Sequence, residues 1–430
     1  MIIKRNLLSR AQSVLAGGTG TFSKHSSRYP AGLAPDALVR GNGPYVWDTQ
    51  GRRFLDTVAA LGPILLGHGH FAVTEAIIHQ LAHGTSFSML HPLEVEVAEL
   101  LCEVIPCAEM VRFARNGTDV TNATVRLARA ITGHQHMLFM GYAGGGMDSY
   151  GITTDKAAGI LPQLHPYNHQ LAWGNVSTVP RHAWNDLAGI MIEVPPFPWG
   201  SPSQHDRQTL QAYHKVAHDC GALFILDEIV TWPRYGLAGA QGVYDITPDL
   251  CTVSKAIANG VPLAALVGQR QYMERLNQGD IFMSYTFAGE TTALAAAKAV
   301  LTILRDTDAL ANLHKQGTRL GDGLQVLFHE YALPATLWGN YARLSVRWQD
   351  VPGVATNQEL RTLWLAEMAR RGVLWGIGVC FVMACWTERE TTMCLEVARD
   401  VCALMASAIW DGHVQEVLPC PVIGDVLAVR

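Results

Sequence analysis

Two residues that together could carry out carbonyl chemistry follow apolar segments in the middle of the chain. Asp227 ends the run LFIL, and Lys255 comes shortly after the run LCTV, so both are expected at strand ends. A lysine amine forms an imine with an aldehyde, and a carboxylate keeps a ring nitrogen protonated. An isolated lysine is usually a surface charge and an isolated acid a turn cap. The combination instead predicts pyridoxal phosphate (PLP) chemistry.

A candidate phosphate site lies at the start of a predicted helix. The segment FARNGTDVTNATVRLARAITG places Asn116, Gly117 and Thr118 where that helix begins. Free backbone N–H groups and the positive end of the helix dipole favour an anion there, and a glycine allows close approach. An ordinary helix cap by Thr118 or Asp119 is the alternative explanation for the same residues.

The glycine-rich segment MGYAGGGMDSY does not fit a dinucleotide-binding loop. It follows a predicted strand, but it contains no GxGxxG that opens a helix, and no acid ends a second strand about 20 residues later. These features argue against a nicotinamide cofactor.

Composition narrows the possible classes of protein. The 430 residues are 49% apolar, with a formal charge of −5 and no basic block, which suits a core-rich enzyme rather than a nucleic-acid or anionic-membrane binder. No apolar run approaches the roughly 18 residues that cross a membrane. Nine cysteines without a CxxC pair predict buried reduced thiols, no metal site and a cytoplasmic location.

The order of the predicted elements indicates an α/β fold. Short apolar runs alternate with helical patterns from Pro63 to about Asp306, which predicts βαβ units and a mostly parallel sheet. A hairpin is expected around Gly51, and a long amphipathic helix from Glu388 to Trp410. We predict three regions: an N-terminal segment (1–62) that joins the small domain, a large cofactor-binding domain (63–311) and a C-terminal small domain (312–430).

Several motifs resemble one known family. DLCTVSKAIANGVPLAALVG, DEIVT and NGTDV…RLAR…TG are similar to the class III aminotransferases of PLP fold type I, closest to the glutamate-1-semialdehyde aminomutase branch. The resemblance implies a large domain with a seven-stranded sheet and a smaller α/β domain built from both termini. It also implies that Lys255 binds PLP as a Schiff base and that Asp227 pairs with the pyridine nitrogen.

The same resemblance implies the other cofactor contacts. Asn116, Gly117 and Thr118 match the phosphate-binding element, and Tyr142 matches an aromatic residue that stacks on the pyridine ring, with Ala143 where the family has histidine. Thr286, in SYTFAGETT, matches a threonine that reaches the cofactor phosphate of the other subunit. The resemblance therefore implies a homodimer with shared active sites.

Residues that contact the substrate are less clearly marked. Lys24 occupies the place of a family arginine that binds the substrate carboxylate, with Arg28 close behind, and Glu193 falls near the cofactor. Lysine offers a positive charge but not a bidentate fork. We predict amino transfer from a small-molecule donor to a carbonyl acceptor. An intramolecular aminomutase, a PLP-dependent decarboxylase or other lyase, and a non-enzymatic PLP-binding role are the alternatives.

Overall fold

The computed structural model describes residues 7–144, 158–175, 179–195 and 197–424. The chain forms two compact units. Of the described residues, the terminal unit comprises 7–70, 197–201 and 309–424, and the central unit comprises 71–144, 158–175, 179–195 and 202–308. The domain limits after residues 62 and 311 stay predictions.

Strands and helices alternate along most of the described chain. The strands are β1 (Leu38–Asn42), β2 (Tyr45–Asp48), β3 (Arg53–Asp56), β4 (Met110–Ala114), β5 (His136–Met140), β6 (Asn168–Gln170), β7 (Leu187–Ile192), β8 (Leu223–Asp227), β9 (Leu250–Val253), β10 (Ala264–Gly268), β11 (Ala335–Asn340), β12 (Arg343–Trp348), β13 (Val373–Leu374) and β14 (Cys380–Phe381). The α-helices span Leu7–Val14, Phe71–Leu81, Pro92–Val104, Gly117–Thr132, Arg181–Trp184, Gln204–Asp219, Gly239–Tyr244, Arg270–Met273, Thr291–Asp306, Ala309–Glu330, Asn357–Arg370, Glu388–Trp410 and Val414–Val417.

The core of the central unit is one sheet, with seven strands among the described residues. Their order is β4-β10-β9-β8-β7-β5-β6. Only β10 runs antiparallel to its neighbours. Every residue of β7 and β8 is buried, as expected for central strands covered on both faces. The predicted α/β fold with a mostly parallel seven-stranded sheet is confirmed.

Side-chain caps set several helix starts. The Gly117–Thr132 helix begins directly after Asn116, whose N–H donates to Asp119 Oδ2 at 2.9 Å. Gly133 ends that helix with a left-handed φ of 71°. The predicted helix Glu388–Trp410 has the predicted bounds, and Thr387 and Glu390 cap its start.

The terminal unit contains two smaller sheets within its described residues. One has the order β1-β2-β3-β13 and the other β11-β12-β14. The predicted hairpin joins β2 to β3, and Asp48 Oδ1 accepts hydrogen bonds from the N–H groups of Gln50 and Arg52, 2.9 and 2.8 Å away.

The sequence also predicted buried, reduced cysteines. All nine cysteines are free thiols, five of them buried and four half-buried. Burial raises the pKa of several of these thiols, including Cys394. In the part of the chain that the structure describes, no group of His, Cys, Asp and Glu side chains is arranged to hold a metal ion. No helix there is both long and apolar enough to span a membrane.

Candidate active site

The acid predicted to do chemistry is the last residue of β8. Asp227 is 5% exposed, and its Oδ1 accepts hydrogen bonds from Ile229 N–H and Thr252 Oγ1–H, both 3.1 Å long. Burial and the nearby charge of Glu193 raise the pKa of Asp227 to about 6, while its hydrogen bonds and Lys255 oppose that rise. Asp227 Oδ2 has no hydrogen-bond partner among the described residues. One carboxylate oxygen is therefore fixed, and the other is available to a ligand.

The candidate lysine follows the neighbouring strand. In the pairing of β8 with β9, Asp227 lies opposite Thr252, three residues before Lys255. Lys255 is half-buried and opens a 3-10 turn through Ala258, and the residues around it, including Ala256 and Ile257, are fully buried. Its φ of 43° is left-handed, a conformation that costs a residue with a side chain about 1–2 kcal/mol. Strain of this kind is held in place by the surrounding fold and concentrates at functional sites.

The predicted phosphate site is the first turn of the Gly117–Thr132 helix. Asn116 is its N-cap, in an extended conformation, and Asp119 Oδ2 accepts the Asn116 N–H at 2.9 Å. A Cβ atom on Gly117 would lie 2.7 Å from Ile229 Cδ1. Glycine is therefore required if Ile229 is to pack there, two residues after Asp227.

A tight turn after β5 presents the predicted aromatic ring. Gly141, Ala143 and Gly144 all have left-handed φ values, of 88°, 50° and 79°. Tyr142 is 38% exposed, and its N–H donates to Glu193 Oε2 at 3.3 Å. A Cβ on Gly144 would lie 3.3 Å from Thr118 Cα, so the turn packs against the start of the phosphate helix. Residues 145–157 of this segment lie outside the described residues.

Thr286 lies apart from these groups within the central unit. It is exposed and lines a cavity of about 760 Å³ with Phe87, Leu90 and other residues, none of which belongs to the Asp227–Lys255 site. The segment before it is held in place by Arg112, which donates to Met283 O at 2.6 Å.

The two candidate substrate cations belong to the terminal unit. Lys24 ends one 3-10 turn, Phe22–Lys24, and is exposed; Arg28 ends the next, Ser26–Arg28, and is half-buried.

Three residues that shape the candidate active site were not predicted from the sequence. Thr252 lies 25 residues from Asp227, and only the register of β8 against β9 brings the two together. Ile229 and Gly141 contribute through close packing, against Gly117 and Glu193 respectively. Neither strand register nor packing of this kind leaves a signal in a single sequence.

The side chains of the central unit fit pyridoxal phosphate. A carboxylate oxygen is available for a protonated pyridine nitrogen, and a half-buried lysine lies close enough to lower the pKa of that acid. The helix start has a glycine where a Cβ would fill the space beside Ile229. Helix starts of this kind bind phosphate groups, and carboxylate–lysine pairs suit PLP.

The fold is that of PLP-dependent transaminases. The PLP internal aldimine form of the FumI protein of Sphingopyxis sp. MTA144 matches with a TM-score of 0.84 at 23% identity, over 97% of this chain and 98% of the other. A glutamate-1-semialdehyde aminomutase of Pseudomonas aeruginosa PAO1 matches with a TM-score of 0.79 at 20% identity, over 93% and 94%.

Sequence comparison defines the family more closely. The family model "Aminotransferase class-III" matches residues 31–346. A glutamate-1-semialdehyde 2,1-aminomutase of Roseiflexus castenholzii is 36% identical over 344 residues, 74% of this chain and 76% of the relative. One of Persephonella marina is 32% identical over 349 residues, 77% and 80%. The chain belongs to the class III aminotransferases, which are PLP-dependent enzymes.

Proposed function

We propose that this enzyme transfers an amino group from a small-molecule donor to a carbonyl acceptor at the Asp227–Lys255 site. The observation that carries the proposal is the buried Asp227, whose Oδ1 is fixed while Oδ2 is available, on the strand next to the one that leads to Lys255. The buried free cysteines support a reducing, cytoplasmic location.

Each residue of the site has a distinct role in this proposal. PLP supplies an aldehyde that condenses with amines and a ring that withdraws electrons from the substrate. Asp227 Oδ2 would accept a hydrogen bond from the protonated pyridine nitrogen, and Lys255 Nζ would bind the cofactor and, once released, move the proton that amino transfer requires. The N–H groups of Gly117 and Thr118 would bind the phosphate at the helix start that Asn116 caps, and the Tyr142 ring would cover the pyridine.

The lysine assignment has a direct chemical test. Borohydride reduction of the purified protein followed by peptide mapping should place the pyridoxyl group on Lys255. A label on another lysine would rule out this assignment. Lys255→Ala should bind the cofactor without the covalent link, so the label should be absent from that variant.

Donor identity is tested by the visible spectrum. Amino donors are added one at a time, and conversion of the cofactor band to the pyridoxamine form identifies the donor class. If no donor converts the band and carbon dioxide is released instead, a decarboxylase would replace our proposal.

A second candidate is intramolecular transfer, as in an aminomutase. It is favoured by the names of the curated relatives, which are 32% and 36% identical to this chain. An aminomutase converts a single substrate without consuming a separate donor. Turnover of glutamate-1-semialdehyde by the pyridoxamine-loaded enzyme, with no second amine present, would favour this candidate over intermolecular transfer.

The central unit exposes an apolar surface that supports a homodimer. Phe87 and Leu90, at 51% and 72% exposure, line the same cavity as Thr286, and Met89, Phe282 and Phe287 are exposed neighbours of these residues in the sequence. Large exposed apolar patches mark interaction sites. We propose a second copy of this chain as the partner of this surface. Thr286 lines the cavity there, and the family resemblance assigns Thr286 to the cofactor phosphate of the other subunit.

The apolar surface is tested by a charge placed within it. Met89→Asp should yield a monomer in sedimentation analysis, with weakened PLP binding. The matched control is Val326→Asp, which charges an exposed apolar residue of the terminal unit and should leave the mass unchanged. A wild-type protein that sediments as a monomer would refute the dimer.

Shared active sites make a sharper prediction about mixed subunits. Thr286→Ala alone should weaken PLP binding, and Lys255→Ala alone cannot form the covalent link. A mixed dimer contains one Thr286→Ala subunit and one Lys255→Ala subunit. The site on the Thr286→Ala subunit keeps its own Lys255 and receives an intact Thr286 from its partner. Half of the sites should therefore regain wild-type affinity. No recovery in verified mixed dimers would contradict a cross-subunit role for Thr286.

Two positively charged residues of the terminal unit are candidates for binding the substrate. We propose that Arg28 and Lys24 attract a substrate carboxylate, and that Glu193 acts indirectly by fixing the Tyr142 turn. Arg28→Ala and Lys24→Ala should raise KM for a carboxylate-bearing donor and leave KM for an uncharged amine unchanged. If both variants keep the wild-type KM for the carboxylate-bearing donor, these residues do not belong to the substrate site.

A further inference from the structure

We propose that Thr252 is a positioning residue that fixes the orientation of the Asp227 carboxylate, so that Oδ2 is directed to the cofactor. The inference rests on the proposed role of Asp227. It concerns a threonine that lies within β9, one residue before the strand ends.

Hydrogen bonds to Oδ1 restrict the orientation of the Asp227 carboxylate. Thr252 and Asp227 are paired residues of β9 and β8, and the Thr252 hydroxyl donates to Oδ1 at 3.1 Å. Ile229 N–H donates to the same oxygen at the same distance. Two donors on one oxygen oppose rotation about the Cβ–Cγ bond, since a partial rotation would break both hydrogen bonds. Hydrogen bonds to a charged acceptor are stronger than neutral ones.

Burial makes the Thr252 hydroxyl well placed to hold Asp227 together with Ile229. The Thr252 side chain is fully buried, so bulk water has no direct access to the position of the hydroxyl. The backbone reinforces the arrangement, because Glu228 N–H donates to Thr252 O at 2.9 Å. Lys255 comes two residues after the end of this strand. The hydroxyl therefore links the acid to the strand that leads to the lysine.

The test compares PLP affinity across matched variants. Thr252→Val keeps the shape and removes the hydroxyl, and we expect PLP affinity of the cofactor-free protein to fall on the order of 10-fold or more. Thr252→Ser should restore it. Thr124→Val is the control, because Thr124 is equally buried in the same unit but donates to Val120 O. Thermal melts show whether each variant folds, and Thr252→Ala replaces the valine variant if that one does not.

A double-mutant cycle separates positioning from a general packing effect. In the background of Asp227→Asn, Thr252→Val should cause little additional loss of PLP affinity. In the wild-type background it should also move the acid inflection of PLP binding to higher pH, because the lost hydrogen bond stabilised the ionised carboxylate. An equal loss in both backgrounds, or an unmoved inflection, would overturn the inference.

The Asp227→Asn variant distinguishes a wrong assignment of Asp227 from a wrong role of Thr252. If Asp227→Asn binds PLP as tightly as wild type, Asp227 is not the cofactor acid, and both conclusions fall. If Asp227→Asn binds weakly while Thr252→Val binds normally, only the role of Thr252 is refuted.

Discussion

Substitution of Gly117 tests whether the helix start is built to accept a phosphate. Alanine in a helix is normally favoured over glycine by up to about 1 kcal/mol. Here the new Cβ would lie 2.7 Å from Ile229 Cδ1, and overpacking of this kind costs about 1–3 kcal/mol. We therefore expect Gly117→Ala to change the free energy of unfolding by roughly 0–2 kcal/mol in the destabilising direction.

Cofactor binding should be affected more than stability. Ile229 donates its N–H to Asp227, so displacing it disturbs the acid as well as the phosphate site. We expect PLP affinity to fall by about 10-fold or more, measured by absorbance titration of the cofactor-free protein, since 1.4 kcal/mol corresponds to a factor of ten.

Two further variants make this reasoning refutable. Ile229→Val deletes the nearest atom, leaving Cγ2 at 3.3 Å, so the double variant Gly117→Ala/Ile229→Val should recover part of the stability. Gly133→Ala alters the other end of the same helix, where a Cβ meets nothing within 4 Å but φ is 71°. It should lower stability by about 1–2 kcal/mol and leave PLP affinity unchanged. Wild-type affinity of Gly117→Ala would refute the phosphate assignment, and absence of recovery would refute the steric argument.

Three other predictions concern pH, packing and capping. The raised pKa of buried Asp227, about 6 against 3.8, means that the folded cofactor-free protein binds the proton more tightly than the unfolded chain. Stability should therefore fall by about 2 kcal/mol as pH rises from 4 to 7, and Asp227→Asn should lack this loss in denaturant titrations across that range. Gly317→Ala should unfold or severely destabilise the protein in thermal melts, because its Cβ would overlap Tyr341 O. Thr387→Ala should cost about 1 kcal/mol in urea titrations by removing a helix cap; an unchanged midpoint would contradict that reasoning.

The sequence was informative where burial and periodicity coincide. The apolar runs LFILD and LCTV are strands because side chains of that kind are stable when covered on both faces. That placement was enough to predict Asp227 and Lys255 at the ends of strands. The helix at Glu388 was predicted with its bounds from its amphipathic pattern, and the structure adds Thr387 as its cap.

Other features depend on distant parts of the chain and were not predictable. The pairing of Asp227 with Thr252 is set by strand register, and the left-handed backbone of Lys255 is imposed by the surrounding fold. The antiparallel direction of β10 follows from its connection to β9 rather than from its own apolar pattern. Thr286 is exposed within its own chain, and its contribution to a second subunit stays a proposal.

The interior position of β8 and β9 links the chemistry of the site to the slowest motions of the molecule. Both strands have hydrogen-bonded neighbours on each side. Amide hydrogens of such strands exchange with solvent only when large parts of a domain open. The acid and the lysine strand should therefore stay aligned through local openings that expose the sheet edges β4 and β6. In hydrogen–deuterium exchange, β8 and β9 would be among the last segments to take up deuterium.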